Sequence, residues 1–119
     1  MKRKLTPAAA EAVQAAYDKQ AADLIMLDMG GTASSFTDYF MICTARNPHQ
    51  SQAISDEIHI RMKKHGWGAR HVEGYHQGEW ILMDFNFMVV HIFSEKARRF
   101  YDLERLWRAA PRIHVEDSQ

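Results

Sequence analysis

Two runs of this chain, Tyr39-Phe40-Met41-Ile42-Cys43 and Phe87-Met88-Val89-Val90-His91-Ile92-Phe93, are apolar at nearly every position. A strand with one wet face alternates apolar and polar residues, whereas a strand apolar throughout is covered on both faces. Both runs therefore belong in the interior of a sheet, and other elements must cover that sheet.

The rest of the sequence supplies the cover. Asn47 suits a helix N-cap, Pro48 the first helical position, and Gln50 the third, where a capping box wants Glu or Gln. Ile54, Ile58 and Met62 follow at spacings of four; Lys63, Lys64 and His65 suit the negative end of the dipole, and Gly66 a left-handed cap. This spacing predicts a helix over 48–65. An earlier helix starts at Thr6 and Pro7, with Ala9, Val13, Tyr17 and Ala21 on one face. Leu24-Ile25-Met26-Leu27, bracketed by Asp23 and Asp28, is short enough to be a strand. Two further strands are predicted at about 68–73 and 79–85, separated by the turn Gly74 to Gly78, with Asn86 in a tight connection to the strand at 87–93. Ser94 caps a last helix in which Phe100, Leu103 and Trp107 share a face, closed by Pro111. The fold class is α/β: one domain over 1–119, a mixed sheet of about five strands flanked by helices, with flexible tails at about 1–6 and 112–119.

Composition removes several functions. Lys plus Arg and Asp plus Glu both number 15, so the molecule is no polycation of the kind that binds nucleic acid by charge alone. One cysteine, Cys43, excludes an internal disulfide and a multi-thiolate zinc site. Inside an apolar strand it reads as a buried thiol, not a nucleophile. No apolar run approaches the ~20 residues that span a bilayer. The basic start, Met1 to Lys4, leads into a stretch carrying Glu11, Gln14 and Asp18, unlike a secretory signal. A cytoplasmic protein is expected, without membrane contact.

Other constellations invite chemistry. His71 and Glu73 share a strand face with His76 beyond, a set that can bind zinc, but it lacks any fixed metal-motif spacing and reads as surface histidines. Gly30 to Ser35 lacks the Lys of a phosphate-binding loop and reads as a plain turn. Asp28, Asp38 and Asp84 at strand ends raise metal-dependent nucleotidyl transfer, which needs carboxylates converging within ~4 Å of shared ions; no Asp-x-Asp pair lies on a strand. No cofactor is expected. From Glu95 to Arg112 six cations (Lys96, Arg98, Arg99, Arg105, Arg108, Arg112) face three anions (Glu95, Asp102, Glu104), and Glu104 can pair with Arg108 at i, i+4. That face is either solvated or a rim steering the chain towards RNA or an acidic partner. Trp80 and Tyr75 flank a turn, where such residues serve either binding or the edge of a core.

Taken in order, Ser35 to Ile42, Gln50 to Ile58, Val72-Glu73-Gly74, Glu79 to Asp84, Val89 to Phe93 and Arg99 to Trp107 resemble the ribosomal silencing factor family, also called Iojap. The match runs from about residue 8 to 108. It departs from the family pattern at Asn86-Phe87, where Gly-Asp is usual, and at Ala45, where Gly is usual. The resemblance implies a nucleotidyltransferase-like fold without catalytic acids, and no enzyme. It implies binding to the large ribosomal subunit through ribosomal protein uL14, which blocks joining of the small subunit and represses translation when nutrients are limiting. The partner-binding residues it points to are Trp80, Asp84, His91 and Tyr101, with Tyr75 and Glu73 beside them. A peripheral contact with ribosomal RNA and a homodimer stay open, and the rival classes are a metal-dependent nucleotidyltransferase and an RNA-binding module built on the last helix.

Overall fold

The computed structural model describes residues 5–30, 36–113 and 115. Helix α1 (Pro7–Asp18) leads into strands β1 (Ala22–Asp28) and β2 (Tyr39–Ala45), then helix α2 (Pro48–Lys64). Strands β3 (His71–Glu73), β4 (Trp80–Asp84) and β5 (Met88–Ser94) follow, then the short helices α3 (Glu95–Tyr101) and α4 (Leu103–Leu106) and strand β6 (Arg112–Ile113).

All six strands form one sheet in the order β3-β4-β5-β2-β1-β6. The two all-apolar runs, β2 and β5, are central neighbours and pair in parallel, from Tyr39 opposite Met88 to Ala45 opposite Ser94. Every other pairing is antiparallel, so the sheet is mixed.

The sheet has six strands, not about five. Arg112 and Ile113, expected in a flexible tail, pair with Leu27 and Met26 of β1, and Thr6 is likewise ordered as the cap of α1. A two-residue strand carries no periodicity, so its partner and not its own sequence defines it.

Caps set both long helices. The Thr6 hydroxyl accepts from the Ala9 amide at 3.3 Å. Asn47 Oδ1 accepts from the Gln50 amide at 2.8 Å. The Gln50 side chain reaches one residue further back than a capping box requires: Oε1 accepts from the Arg46 amide at 2.6 Å. Its Nε2 donates to the carbonyls of Lys19 and Gln20, at 3.0 and 2.8 Å, joining the end of α1 to the start of α2. Arg61 completes the link, bonding Glu57 at 2.8 Å, Glu11 at 3.3 Å, and Asp18, whose carboxyl it holds below the usual pKa.

The last helix is broken. Asp102 takes a left-handed conformation, φ 49°, which ends α3 and starts α4. The expected common face therefore splits: Leu103 and Trp107 pack inward, while Phe100 is 78% exposed. The Glu104–Arg108 pair does not form. Glu104 instead takes a bidentate bond from Arg98, at 3.1 and 3.0 Å, and Arg98 Nη1 also donates to the Asp23 carbonyl and the Thr44 hydroxyl, at 2.7 and 2.8 Å.

Candidate functional site

The pleat gives the sheet two unlike faces. Met26, Tyr39, Met41, Cys43, Ile81, Met83, Met88, Val90 and Ile92 point to the side packed by α1 and α2. Cys43 is sealed there, and burial pushes its thiol pKa up to about 12, as a structural cysteine requires. Ile25, Leu27, Phe40, Ile42, Trp80, Leu82, Val89 and Phe93 point to the other side, where Ala97, Leu103, Trp107 and Ala110 pack against them. That cover is incomplete. At the β3–β4 end Trp80, Leu82 and Asp84 are half-buried, β3 is exposed, and a hollow of about 490 Å3 is lined by His71, Glu73, Gly74, Trp80 and Leu82.

Trp80 is the best-held residue of this hollow. Its ring lies 5.0 Å from that of Phe93, its cross-strand partner, and 4.6 Å from that of Tyr101. Its indole N–H donates to His91 Nδ1 at 3.1 Å. The backbone is fixed from below. Gly74 has φ 78°, and a Cβ there would stand 2.1 Å from the Trp80 carbonyl oxygen. The loop it opens is tied to α2 by Ser51, which donates to the Gly78 carbonyl at 2.8 Å, and by Gln52, which donates to the Tyr75 carbonyl at 3.0 Å. An aromatic side chain immobilised before contact loses little rotamer freedom on binding, which is what an anchor residue needs.

His91 plays a different part from the one expected of it. It is 3% exposed, packed between Phe40 and Phe93, and burial lowers its pKa from 6.5 to about 4. Neutral, with Nδ1 accepting from Trp80, it carries its proton on Nε2, which is buried with no hydrogen-bond partner among the described residues. It supports Trp80 from behind and does not reach the surface.

Asp84 and Glu73 lie on the Trp80 face. Asp84 stands at the far end of β4, ~13 Å along the strand from Trp80. There it accepts from the Asn86 amide at 2.8 Å and from Arg70 at 3.0 Å; burial opposes its ionisation, but these bonds prevail and keep its pKa low. Glu73 contacts His71 on exposed β3. Tyr75 is placed elsewhere: it packs against the α1–α2 side, its hydroxyl donates to Asp56 at 2.9 Å, and this bond raises its pKa. The structure thus brings Trp80, His91 and Tyr101 into one cluster, sets Glu73 and Asp84 around it, and leaves Tyr75 out. Leu82, between Trp80 and Asp84 on the same face, was missed, although the period-two alternation of β4 places it there.

Asp28 and Asp84 do not converge. Asp84 lies opposite Val89, Val89 opposite Phe40 and Phe40 opposite Leu27. Asp84 is thus three strand spacings, ~14 Å, from the end of β1 that carries Asp28. Among the described residues no group of three His, Cys, Asp or Glu could hold a metal ion, and no helix is long and apolar enough to cross a membrane. Of the Gly30 to Ser35 turn, residues 31–35 lie outside the described residues.

Asn86 was expected in a tight connection. It sits at φ 74° in the β4–β5 turn, a conformation natural to Gly and tolerated by Asn. Phe87, beside it, packs on Trp67 at 4.5 Å.

Comparison with known proteins agrees with this architecture. The family model described as "Ribosomal silencing factor during starvation" matches residues 2–119. The chain is 40% identical over 100 residues to the ribosomal silencing factor RsfS of Bacillus subtilis, covering 84% of each chain. It is 38% identical over 105 residues to that of Halalkalibacterium halodurans, covering 88% of this chain and 89% of the relative. A crystal structure of a Chromobacterium violaceum protein superposes with a TM-score of 0.82 at 27% identity, covering 89% of this chain and 88% of that one. With the mixed sheet and near-complete coverage in view, the chain belongs to the ribosomal silencing factor family.

Proposed function

We propose that this protein docks on the large ribosomal subunit in the cytoplasm, by placing the Trp80 face of its sheet against ribosomal protein uL14. There it occupies space that the small subunit needs and represses translation when nutrients are limiting. Bulk and position suffice for this, and no bond is made or broken. An interface of ordinary size, ~800 Å² per partner, is enough to obstruct a neighbour.

The observation that carries this function is the immobilised indole of Trp80 beside an open, mainly apolar hollow. Buried aromatic anchors surrounded by polar rims dominate protein interfaces, and Glu73, His71 and the Arg70–Asp84 pair form such a rim here. The separation of Asp28 from Asp84 speaks against the rival nucleotidyl-transfer chemistry.

A pull-down of purified uL14 tests the proposal. Trp80→Ala removes an indole packed on Phe93 and Tyr101, so it disturbs the fold as well as the surface. Leu82→Asp places a charge in the hollow but also alters core packing, so Glu73→Arg on exposed β3, which leaves the core untouched and should weaken retention as well, separates the two effects. Wild-type protein should retain uL14 and Leu82→Asp should lose it; equal retention would refute docking through this face.

A further inference from the structure

A second surface lies around the break between α3 and α4. Phe100, Tyr101 and Leu106 are 78%, 50% and 69% exposed, three large apolar residues together on an otherwise polar end. They line a groove of about 710 Å3 with Arg99, Arg105 and Arg108. Clusters of exposed apolar side chains of this kind mark interaction sites.

The charge of the groove is set by the Arg98 clamp. Because Glu104 is held by Arg98, it neutralises neither Arg105 nor Arg108, and neither makes an ion pair among the described residues. Arg99 shares its charge with Glu95 at 3.3 Å in the open. Among the described residues the one acidic residue lining the groove is Asp102. Phe100 stands perpendicular to Tyr101, at 5.0 Å and 89°, and at 78% exposure most of its ring is open to solvent and free to stack.

We propose that this groove binds a single-stranded RNA segment, with a base stacked on Phe100 and its phosphates against Arg105 and Arg108. Guanidinium groups interleaved with open aromatic rings are the recurring chemistry of single-strand recognition. Tyr101, packed on Trp80 on one side and Phe100 on the other, joins the groove to the docking face. That the RNA is an unpaired ribosomal segment at the rim of the uL14 site rests on the function proposed above; the stacking site itself does not.

Fluorescence anisotropy with a labelled oligouridylate of about ten nucleotides, titrated from about 50 mM salt upwards, tests the groove. Wild-type protein should bind, and Phe100→Ala should bind about tenfold more weakly. An Arg105→Glu, Arg108→Glu double variant should lose most of the affinity, its salt slope falling by about 1.4, for two phosphate contacts at ~0.7 each. All three side chains are exposed, so unchanged melting temperatures should accompany these losses. No wild-type binding, variants that bind like wild type, or equal competition by a glutamate peptide would each overturn the proposal. Co-sedimentation with large subunits in parallel separates the two readings: wild-type protein that binds the oligonucleotide but not the subunit upholds the groove and defeats the docking.

Discussion

The indole N–H of Trp80 donates to Nδ1 of His91 at 3.1 Å, so a buried, neutral imidazole sets the orientation of a half-exposed aromatic ring. The bond makes His91 a positioning residue. It also leaves Nε2–H buried without a partner among the described residues, a cost of roughly 1–3 kcal/mol for a polar group of this kind.

His91→Phe should therefore separate stability from docking. The ring volume is kept and the orphaned donor removed, so urea unfolding should shift by no more than about 1 kcal/mol. Trp80 loses its acceptor, and affinity for uL14 should fall several-fold. A large loss of stability, or unchanged affinity, would mean that the bond does not have this role.

The same residue gives the fold an acid-sensitive component. The folded pKa of His91, about 4, lies below its ordinary value of 6.5 because burial disfavours the cation. The unfolded chain thus takes up a proton first as the pH falls. The destabilisation is absent above about pH 6.5, grows as the pH drops towards 4, and then levels off, reaching at most roughly 3 kcal/mol. Urea titrations at pH 7 and 4.5 should show this loss in wild-type protein, and a smaller one in His91→Phe.

Gly74 and Gly66 form an internal control. Both have positive φ, 78° and 85°, but a Cβ at Gly66 meets nothing within 4 Å, whereas one at Gly74 collides with the Trp80 carbonyl. Gly66→Ala should cost about 1 kcal/mol, the ordinary strain of a left-handed residue. Gly74→Ala should cost clearly more and displace Trp80, readable as a shift in tryptophan fluorescence.

Arg98 makes four hydrogen bonds that tie α3 to α4 and both to β1 and β2, with its side chain only 12% exposed. Arg98→Ala should cost about 3 kcal/mol in urea unfolding, because it strands Glu104 as well as removing the bonds. Arg98→Lys should recover only part, since an ammonium cannot reproduce the bidentate fork.

These residues also show what was legible in the sequence. Strands β2 and β5 and helix α2 announce themselves through local signals: continuous apolar runs, an Asn-Pro start and a stripe at four-residue spacing. Asn86 and the Gly74–Gly78 turn were equally readable, because left-handed backbone has its own residue preferences. The break at Asp102 was not. Neither Gly nor Pro marks it, and the apolar residues on both sides continue a helical period, so Phe100 read as core. The partners of Arg98 lie in β1, β2 and α4, beyond any i, i+4 rule. Within the candidate site, Trp80, Asp84 and Glu73 share a face by strand alternation. The stacking of Tyr101 on Trp80, and the burial of His91 behind it, arise from the crossing of α3 over β5, which local pattern does not encode.

The most direct measurement mixes purified large and small subunits with excess protein and follows formation of joined ribosomes on a sucrose gradient. Wild-type protein should hold the subunits apart, and Glu73→Arg, folded to the same melting temperature, should let more of them join. Subunits that join freely beside the wild-type protein, or are blocked equally by Glu73→Arg, would rule out steric repression through the Trp80 face.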